Sequence, residues 1–154
     1  MASDAPAPVT QILVGTDGSP TADAAVARAG EAARAAGARL HVVTAIDGPA
    51  RLDRQGELPR DLAWAATPGR RADEILRRAV TIAGPDLDVE LHSRPGDPAD
   101  VLVDLAGELG ADLIVVGNKG MHGMGGYVRP TVPNRVSHRA RCDVLIVATT
   151  GRAA

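Results

Sequence analysis

Hydrophobic and polar positions along the chain predict five strands separated by four helices. Continuous apolar runs are typical of strands that helices cover on both faces, whereas strict alternation indicates a strand with one exposed face. The runs occupy residues 9–15, 39–45, 112–117 and 143–148, and the alternating segment occupies residues 87–93. The alternating segment is therefore predicted to be an edge strand.

Four segments between these strands have apolar residues at helical spacing and carry helix start signals. A capping residue or a proline opens each helix, and glycine ends three of them. The start signals are Ser19-Pro20, Thr67-Pro68, Asp97-Pro98 and Thr131, and the stop signals are Gly37, Gly84-Pro85 and Gly110. This strict alternation of strand and helix predicts one α/β domain over residues 9–149, with a parallel sheet between two helical layers. Residues 1–8 and 150–154 are expected to be a flexible N-terminus and a flexible tail.

One connection, from Ile46 to Ala66, is longer than compact domains normally use. It is either a binding loop or a disordered or passive surface segment, and the sequence leaves both interpretations open.

Composition narrows the class of partner. The 154 residues include no Phe, one Trp and one Tyr, so the aromatic platforms that stack single-stranded nucleic acid are missing. A net charge of -2 without a basic run argues against nucleic acid or an anionic membrane as the main partner. The N-terminus lacks an apolar leader, which favours a cytoplasmic protein. The single cysteine, Cys142, has no partner for an internal disulfide and is expected to be a small buried residue.

A glycine-rich stretch, residues 117–131, lies between a predicted strand and a predicted helix. This order is typical of phosphate-binding loops, because glycine lets backbone N–H groups approach an anion at a helix N-terminus. A flexible turn has the same composition. Asp17 lies in another strand-to-helix loop, and ligands of open α/β sheets bind where such loops meet at a reversal of strand order. If the two strands are neighbours, both loops face one crevice.

Three segments together resemble the universal stress protein family. They read Val-Gly-Thr-Asp-Gly-Ser at residues 14–19, Val-Val-Gly-Asn-Lys-Gly at residues 115–120, and Ser-His-Arg-Ala-Arg-Cys-Asp-Val-Leu-Ile-Val at residues 137–147. The resemblance implies a three-layer sandwich of the adenine-nucleotide alpha-hydrolase-like (Rossmann-like) type, with a five-stranded parallel sheet in the order 3-2-1-4-5. It also implies a homodimer formed through the last strand, Asp143 to Ala148, whose apolar edge would otherwise be exposed.

The nucleotide-binding branch of that family carries G-x-x-G, nine residues, and then G-S or G-T. Gly117 and Gly120 match its first half, but Pro130 and Thr131 stand where Gly-Ser or Gly-Thr is expected. Thr131 keeps the hydroxyl, and with the N–H of Val132 it is expected to meet phosphate. Pro130 removes one donor, at a cost of about 0.5–1.5 kcal/mol.

The resemblance also implies a set of nucleotide-binding residues. Asp17 would contact ribose or a metal-bridged phosphate, although it could instead serve only the turn, and Ala45 would meet adenine unless it is simple core. The ligand would be ATP, AMP or cyclic AMP, with magnesium bound through its phosphates. The complete set is Thr16, Asp17, Ala45, Gly117, Asn118, Gly120, Thr131 and Val132.

Two groups of polar residues remain. A basic cluster either supplies charge near phosphate or forms a solvated helix face; its members are Arg129, Arg135, His138 and Arg139. The four histidines lie on different predicted elements without H-x-x-x-H spacing, so no metal site is predicted; they are His41, His92, His122 and His138.

The sequence therefore predicts a nucleotide-binding protein of stress response or nucleotide sensing. The alternative is a dimeric scaffold that has lost nucleotide binding because of Pro130. An enzyme is not predicted, since neither a P-loop nor an S-G-G-x-D-S motif follows a strand. Slow ATP hydrolysis is the most that we expect.

Overall fold

The computed structural model describes residues 4–46, 68–118 and 131–148, which form a parallel five-stranded sheet between two layers of helices. The strands are β1 (Gln11–Gly15), β2 (Arg39–Ile46), β3 (Val89–Pro95), β4 (Leu113–Gly117) and β5 (Asp143–Val147). The helices are α1 (Pro20–Ala36), α2 (Pro68–Ala83), α3 (Pro98–Leu109) and α4 (Val132–Arg139). The strand order is β3-β2-β1-β4-β5, which confirms the predicted fold and places β3 at an edge.

All five strands have ends that differ from the prediction by one or two residues, and β2 runs one residue further than expected, to Ile46. β1 begins at Gln11, two residues later than expected, because the Asp112 carboxylate accepts the N–H groups of Thr10 and Gln11 at 2.8 and 3.0 Å. The same side chain lies just before β4, which begins at Leu113. β3 starts later and runs on to Pro95, since it stays paired with β2 as far as Ile46.

The last strand is also shorter than predicted. β5 ends at Val147, so Ala148 lies outside it. The pairing of β5 with β4 stops at the same point, where Val147 lies opposite Gly117.

Three of the four predicted helix starts have their cap, and the fourth, Thr67, lies outside the described residues. Ser19, Asp97 and Thr131 have extended backbone geometry, and each accepts a backbone N–H from the first turn of its helix. At the other ends of α1 and α3, Gly37 and Gly110 adopt left-handed φ values of 65° and 62°. These conformations favour glycine because it lacks a Cβ.

The core has two layers, one on each face of the sheet. Ile12 and Val14 of β1 are buried against α1 and α2, whereas Leu13 is buried against α3 and α4. This alternation follows from the period of two along a strand. Among the described residues, no helix is long and apolar enough to cross a membrane.

Candidate functional site: the crevice between strands β1 and β4

A crevice opens at the carboxyl ends of β1 and β4, which are neighbours in the sheet. After β1 the chain enters α1 on one face, and after β4 it enters α4 on the other face. This is the reversal of strand order at which open α/β sheets bind ligands. The crevice measures about 750 Å³ including its solvent-open mouth, and its lining is mostly apolar.

The β1–α1 loop is fixed by its own hydrogen bonds. Buried Thr16 donates its N–H to the Val43 carbonyl at 2.9 Å, and its Oγ1 accepts the Gly18 N–H at 3.1 Å. Oδ1 of Asp17 accepts the Ser19 N–H at 2.9 Å. Asp17 therefore has the turn role considered above, and it also lines the crevice with an exposed side chain.

Two glycines allow the walls of the crevice to approach closely. A Cβ on Gly117 would lie 3.0 Å from the Thr21 carbonyl oxygen, and one on Gly15 would lie 3.1 Å from the methyl carbons of Leu102. Both distances are shorter than most distances between a Cβ atom and its neighbours in proteins. Substitution at either glycine would therefore push against a wall of the crevice.

The N-terminus of α4 points its first turn toward the crevice. Thr131 Oγ1 accepts the Asn134 N–H at 3.3 Å, and Pro133 has no N–H to donate. Among the described residues, the Val132 N–H has no protein acceptor, and Val132 itself lines the crevice. The positive end of the helix dipole adds to this donor, so the position suits an anion.

The structure brings five of the eight predicted binding residues together in the lining: Thr16, Asp17, Ala45, Gly117 and Val132. Two others are adjacent to it. Asn118 is buried at the end of β4 and donates its N–H to Val147 at 3.2 Å, and Thr131 precedes Val132. Gly120 lies outside the described residues, as do Pro130, Arg129, His122 and most of the 46–66 connection.

Sequence reasoning missed one wall of the crevice. The start of α3 supplies this wall through Pro98, Val101 and Leu102. Val101 and Leu102 belong to an apolar stripe that identifies them as buried. The stripe does not reveal that they face a crevice as well as the core, because that depends on where α3 packs.

The described members of the basic cluster do not point into the crevice. Arg135 forms ion pairs with Asp97 at 2.9 Å and Asp100 at 3.5 Å, and Arg139 also pairs with Asp100. The hydrogen bond from Arg135 holds the pKa of Asp97 below its usual range, and Asp97 raises the pKa of Arg135. These guanidinium groups therefore tie α4 to α3, while His138 is exposed.

Two other expectations need correction or extension. Cys142 is only partly buried, and the desolvation that it does experience raises the pKa of its thiol. The histidines lie on different elements, as expected, but two of them, His41 and His92, lie side by side on β2 and β3.

The sequence model of the universal stress protein family matches residues 8–148. This chain belongs to the universal stress protein family. It is 39% identical over 141 residues to universal stress protein Rv1636 of Mycobacterium tuberculosis strain H37Rv, an alignment that spans 90% of this chain and 96% of the relative. It is 32% identical over 142 residues to a putative universal stress protein of Staphylococcus aureus strain USA300, spanning 90% and 83%.

Solved structures of the family have the same fold. One is the crystal structure of a universal stress protein in complex with cAMP, with a TM-score of 0.76 and 36% identity over 94% of this chain and 100% of that one. Another is the universal stress protein of Archaeoglobus fulgidus in complex with dAMP, with a TM-score of 0.67 and 26% identity over 91% and 98%. Both of these relatives bind an adenine nucleotide.

Proposed function

We propose that this universal stress protein binds an adenine nucleotide in the crevice at the carboxyl ends of β1 and β4. The observation that carries the proposal is the position of the crevice between the N-termini of α1 and α4. An apolar slot with a few convergent polar groups suits a flat base joined to an anion. The complexes of two relatives with cAMP and dAMP support the same class of ligand.

Each end of the nucleotide has a group that suits it. The base lies against Ala45, which is half-buried at the end of β2, and the ribose lies near the exposed Asp17. The phosphate accepts the Val132 N–H at the start of α4. If the ligand is ATP, its phosphates would hold magnesium, and the carboxylate of Asp17 would lie beside the ion.

The direct test is isothermal titration calorimetry with ATP, AMP and cyclic AMP on the purified protein. Ala45→Leu would place a larger side chain in the slot and should lower affinity at least about tenfold. Ala35→Leu is the matched control, because Ala35 is exposed on α1 far from the crevice lining. The proposal fails if no nucleotide gives heat at high protein concentration, or if both variants change affinity equally.

Pro130 supports a second candidate, a stress-protein scaffold that does not bind nucleotide. It replaces a glycine of the family motif and removes one backbone donor next to the α4 N-terminus. Under this candidate, Pro130→Gly creates affinity from an undetectable baseline. Measurable binding by the unmodified chain would reject it.

We also infer that two copies of the chain pair along β5. This strand is a sheet edge with the apolar sequence Val-Leu-Ile-Val after Asp143, and Leu145 is 37% exposed. The other edge, β3, carries charged residues such as Glu90 and Arg94, which discourage pairing between chains. A twofold axis beside β5 would bury Leu145 of both copies.

Leu145→Lys should convert the dimer into a monomer in sedimentation or light-scattering measurements. Leu91→Lys is the matched control, because Leu91 is 40% exposed on the opposite edge strand. A monomeric parent protein, or a dimer lost only in the Leu91 variant, would overturn the assignment to β5.

The proposed cellular role is stress response or nucleotide sensing in the cytoplasm, with at most slow hydrolysis of bound ATP. Such a role needs a reversible ligand rather than fast turnover. Rapid ATP hydrolysis that disappears in Asp17→Asn would contradict the binding role and indicate an enzyme.

A further inference from the structure

A cluster of two histidines and a glutamate lies on the exposed edge of the sheet, away from the carboxyl ends that form the crevice. His41 of β2 is the register partner of Glu90 of β3, and His92 lies two residues further on the same face of β3. His41 Nδ1 lies 3.1 Å from His92 Nε2. Glu90 Oε2 lies 3.7 Å from His41 Nδ1, and Glu90 Oε1 lies 3.7 Å from His92 Nε2.

We propose that His41, Glu90 and His92 form a binding site for a divalent transition-metal ion of the zinc type. Two nitrogen ligands of a tetrahedral ion are about 3.3 Å apart when each bond is about 2.0–2.1 Å. The three ligand atoms here all lie within 4.8 Å of one another, so small side-chain movements would bring them to bonding distance. Imidazole and carboxylate together suit zinc, cobalt, nickel or copper better than magnesium, which prefers oxygen ligands alone.

Gln11 supplies an outer partner of the kind found around metal-binding histidines. Its side-chain Oε1 lies 2.7 Å from His41 Nε2 and accepts the proton on that nitrogen. This hydrogen bond leaves the lone pair of His41 Nδ1 directed at His92 and Glu90. Metal ligands are commonly oriented in this way by a carbonyl acceptor on the other ring nitrogen.

Burial favours the neutral form of both imidazoles, which is the form that binds metal. Desolvation is the main cause that lowers the pKa of His41 and of His92. Glu90 is 48% exposed, which leaves a path for an ion from solvent. The charged groups near the two rings are three carboxylates and two guanidinium groups, a balance that favours a cation: Asp88, Glu90, Glu108, Arg39 and Arg94.

A bound metal ion would replace the hydrogen that lies between His41 Nδ1 and His92 Nε2. Because His41 Nε2 donates to Gln11 Oε1, a neutral His41 ring has its lone pair on Nδ1, and His92 Nε2–H is then the donor across the 3.1 Å separation. On binding, the proton of His92 moves to its Nδ1, and both facing nitrogens offer lone pairs to the ion.

Cobalt(II) is the best probe, because its visible spectrum reports both binding and coordination geometry. The full-length protein, first treated with chelator, is titrated with cobalt(II) and then with zinc(II) as competitor. Loss of an outer partner of a metal ligand costs roughly 10–100-fold in metal affinity. Gln11→Met should therefore lower the cobalt affinity by about tenfold. Glu90→Gln and His92→Gln remove proposed ligands, so each should lower it by more than that range. His138→Gln is the control, because His138 is exposed on α4.

The proposal predicts intense cobalt absorption bands for the parent, the His138 variant and the Ala45→Leu variant, and their loss in the Glu90 and His92 variants. Retention in the Ala45 variant separates this site from the nucleotide crevice, so either proposal can fail alone. No bands in the parent at millimolar cobalt would overturn the assignment. So would bands that survive Glu90→Gln and His92→Gln, or that vanish in His138→Gln.

Discussion

Gly30→Ala is predicted to destabilise the fold, because α1 and α2 touch at this glycine. A Cβ built on Gly30 would lie 2.6 Å from the Ala83 carbonyl oxygen and 3.0 Å from the Ala83 Cα. Both are backbone atoms at the end of α2, so no side-chain rotation relieves the clash. The two helices would have to separate, and the apolar contacts between them would loosen.

The expected size of the effect combines two opposing terms. Replacing a helical glycine with alanine favours folding by about 0.5–1 kcal/mol, because the unfolded chain loses freedom. Forcing an extra carbon into a packed core costs about 1–3 kcal/mol. We expect a net loss of about 1–2 kcal/mol, which lowers the melting temperature by about 2–8 °C in a chain of this size.

Gly107 provides the matched control. It is also inside a helix, α3, but a Cβ there would meet no heavy atom within 4 Å. Gly107→Ala should raise the free energy of unfolding by about 0.5–1 kcal/mol. Urea and thermal unfolding of both variants, followed by circular dichroism, measure the difference. If Gly30→Ala is neutral or stabilising, the close approach of α1 to α2 is wrong.

Two further predictions concern exposed carboxylates. The Arg34 hydrogen bond lowers the pKa of Asp86 to about 2, so this pair stabilises the fold above the ordinary carboxyl range and loses its effect as pH falls toward 2. Arg34→Gln should move the Asp86 titration, followed by NMR, back toward ordinary values; an unchanged pKa would refute the pairing. Asp97→Ala should cost about 1 kcal/mol by uncapping α3, whereas Asp97→Asn should keep most of the cap and lose only the ion pair with Arg135. Equal losses in urea unfolding would show that the ion pair, not the cap, is the main contribution.

Local signals predicted the elements of the fold well. Ser19 and Asp97 each accept a backbone N–H from a residue no more than three positions away, so the local sequence is enough to identify the helix starts. Strand ends are less local. The start of β1 depends on the Asp112 carboxylate, 102 residues away from Thr10, and no window of sequence around Thr10 contains that information.

The crevice was predictable in part for the same reason. Asp17 lies two residues after β1, and Val132 opens the helix that follows β4, so their place at the carboxyl edge of the sheet follows from chain order. Val101 and Leu102 depend on how α3 lies across the sheet, which is a matter of packing. The role of Arg135 was also open, because its partner Asp97 lies on another helix.

The histidine cluster and the crevice depend on one common feature, the register of β2. His41, Val43 and Ala45 alternate along β2 and so share one face of the sheet. On that face, His41 meets its partners on β3, while Val43 and Ala45 line the crevice. If the register of β2 slipped by one residue, all three side chains would turn toward α1 and α2. None of them would then face either proposed ligand. The pairing of β2 with β1 places Val43 beside Gly15 at the crevice, and the seven register pairs between β2 and β3 place His41 beside Glu90. H-x-x-x-H spacing identifies two histidines on one face of a single helix. His41 and His92 lie on two neighbouring strands and are 51 residues apart in the chain, so a search for that spacing misses them.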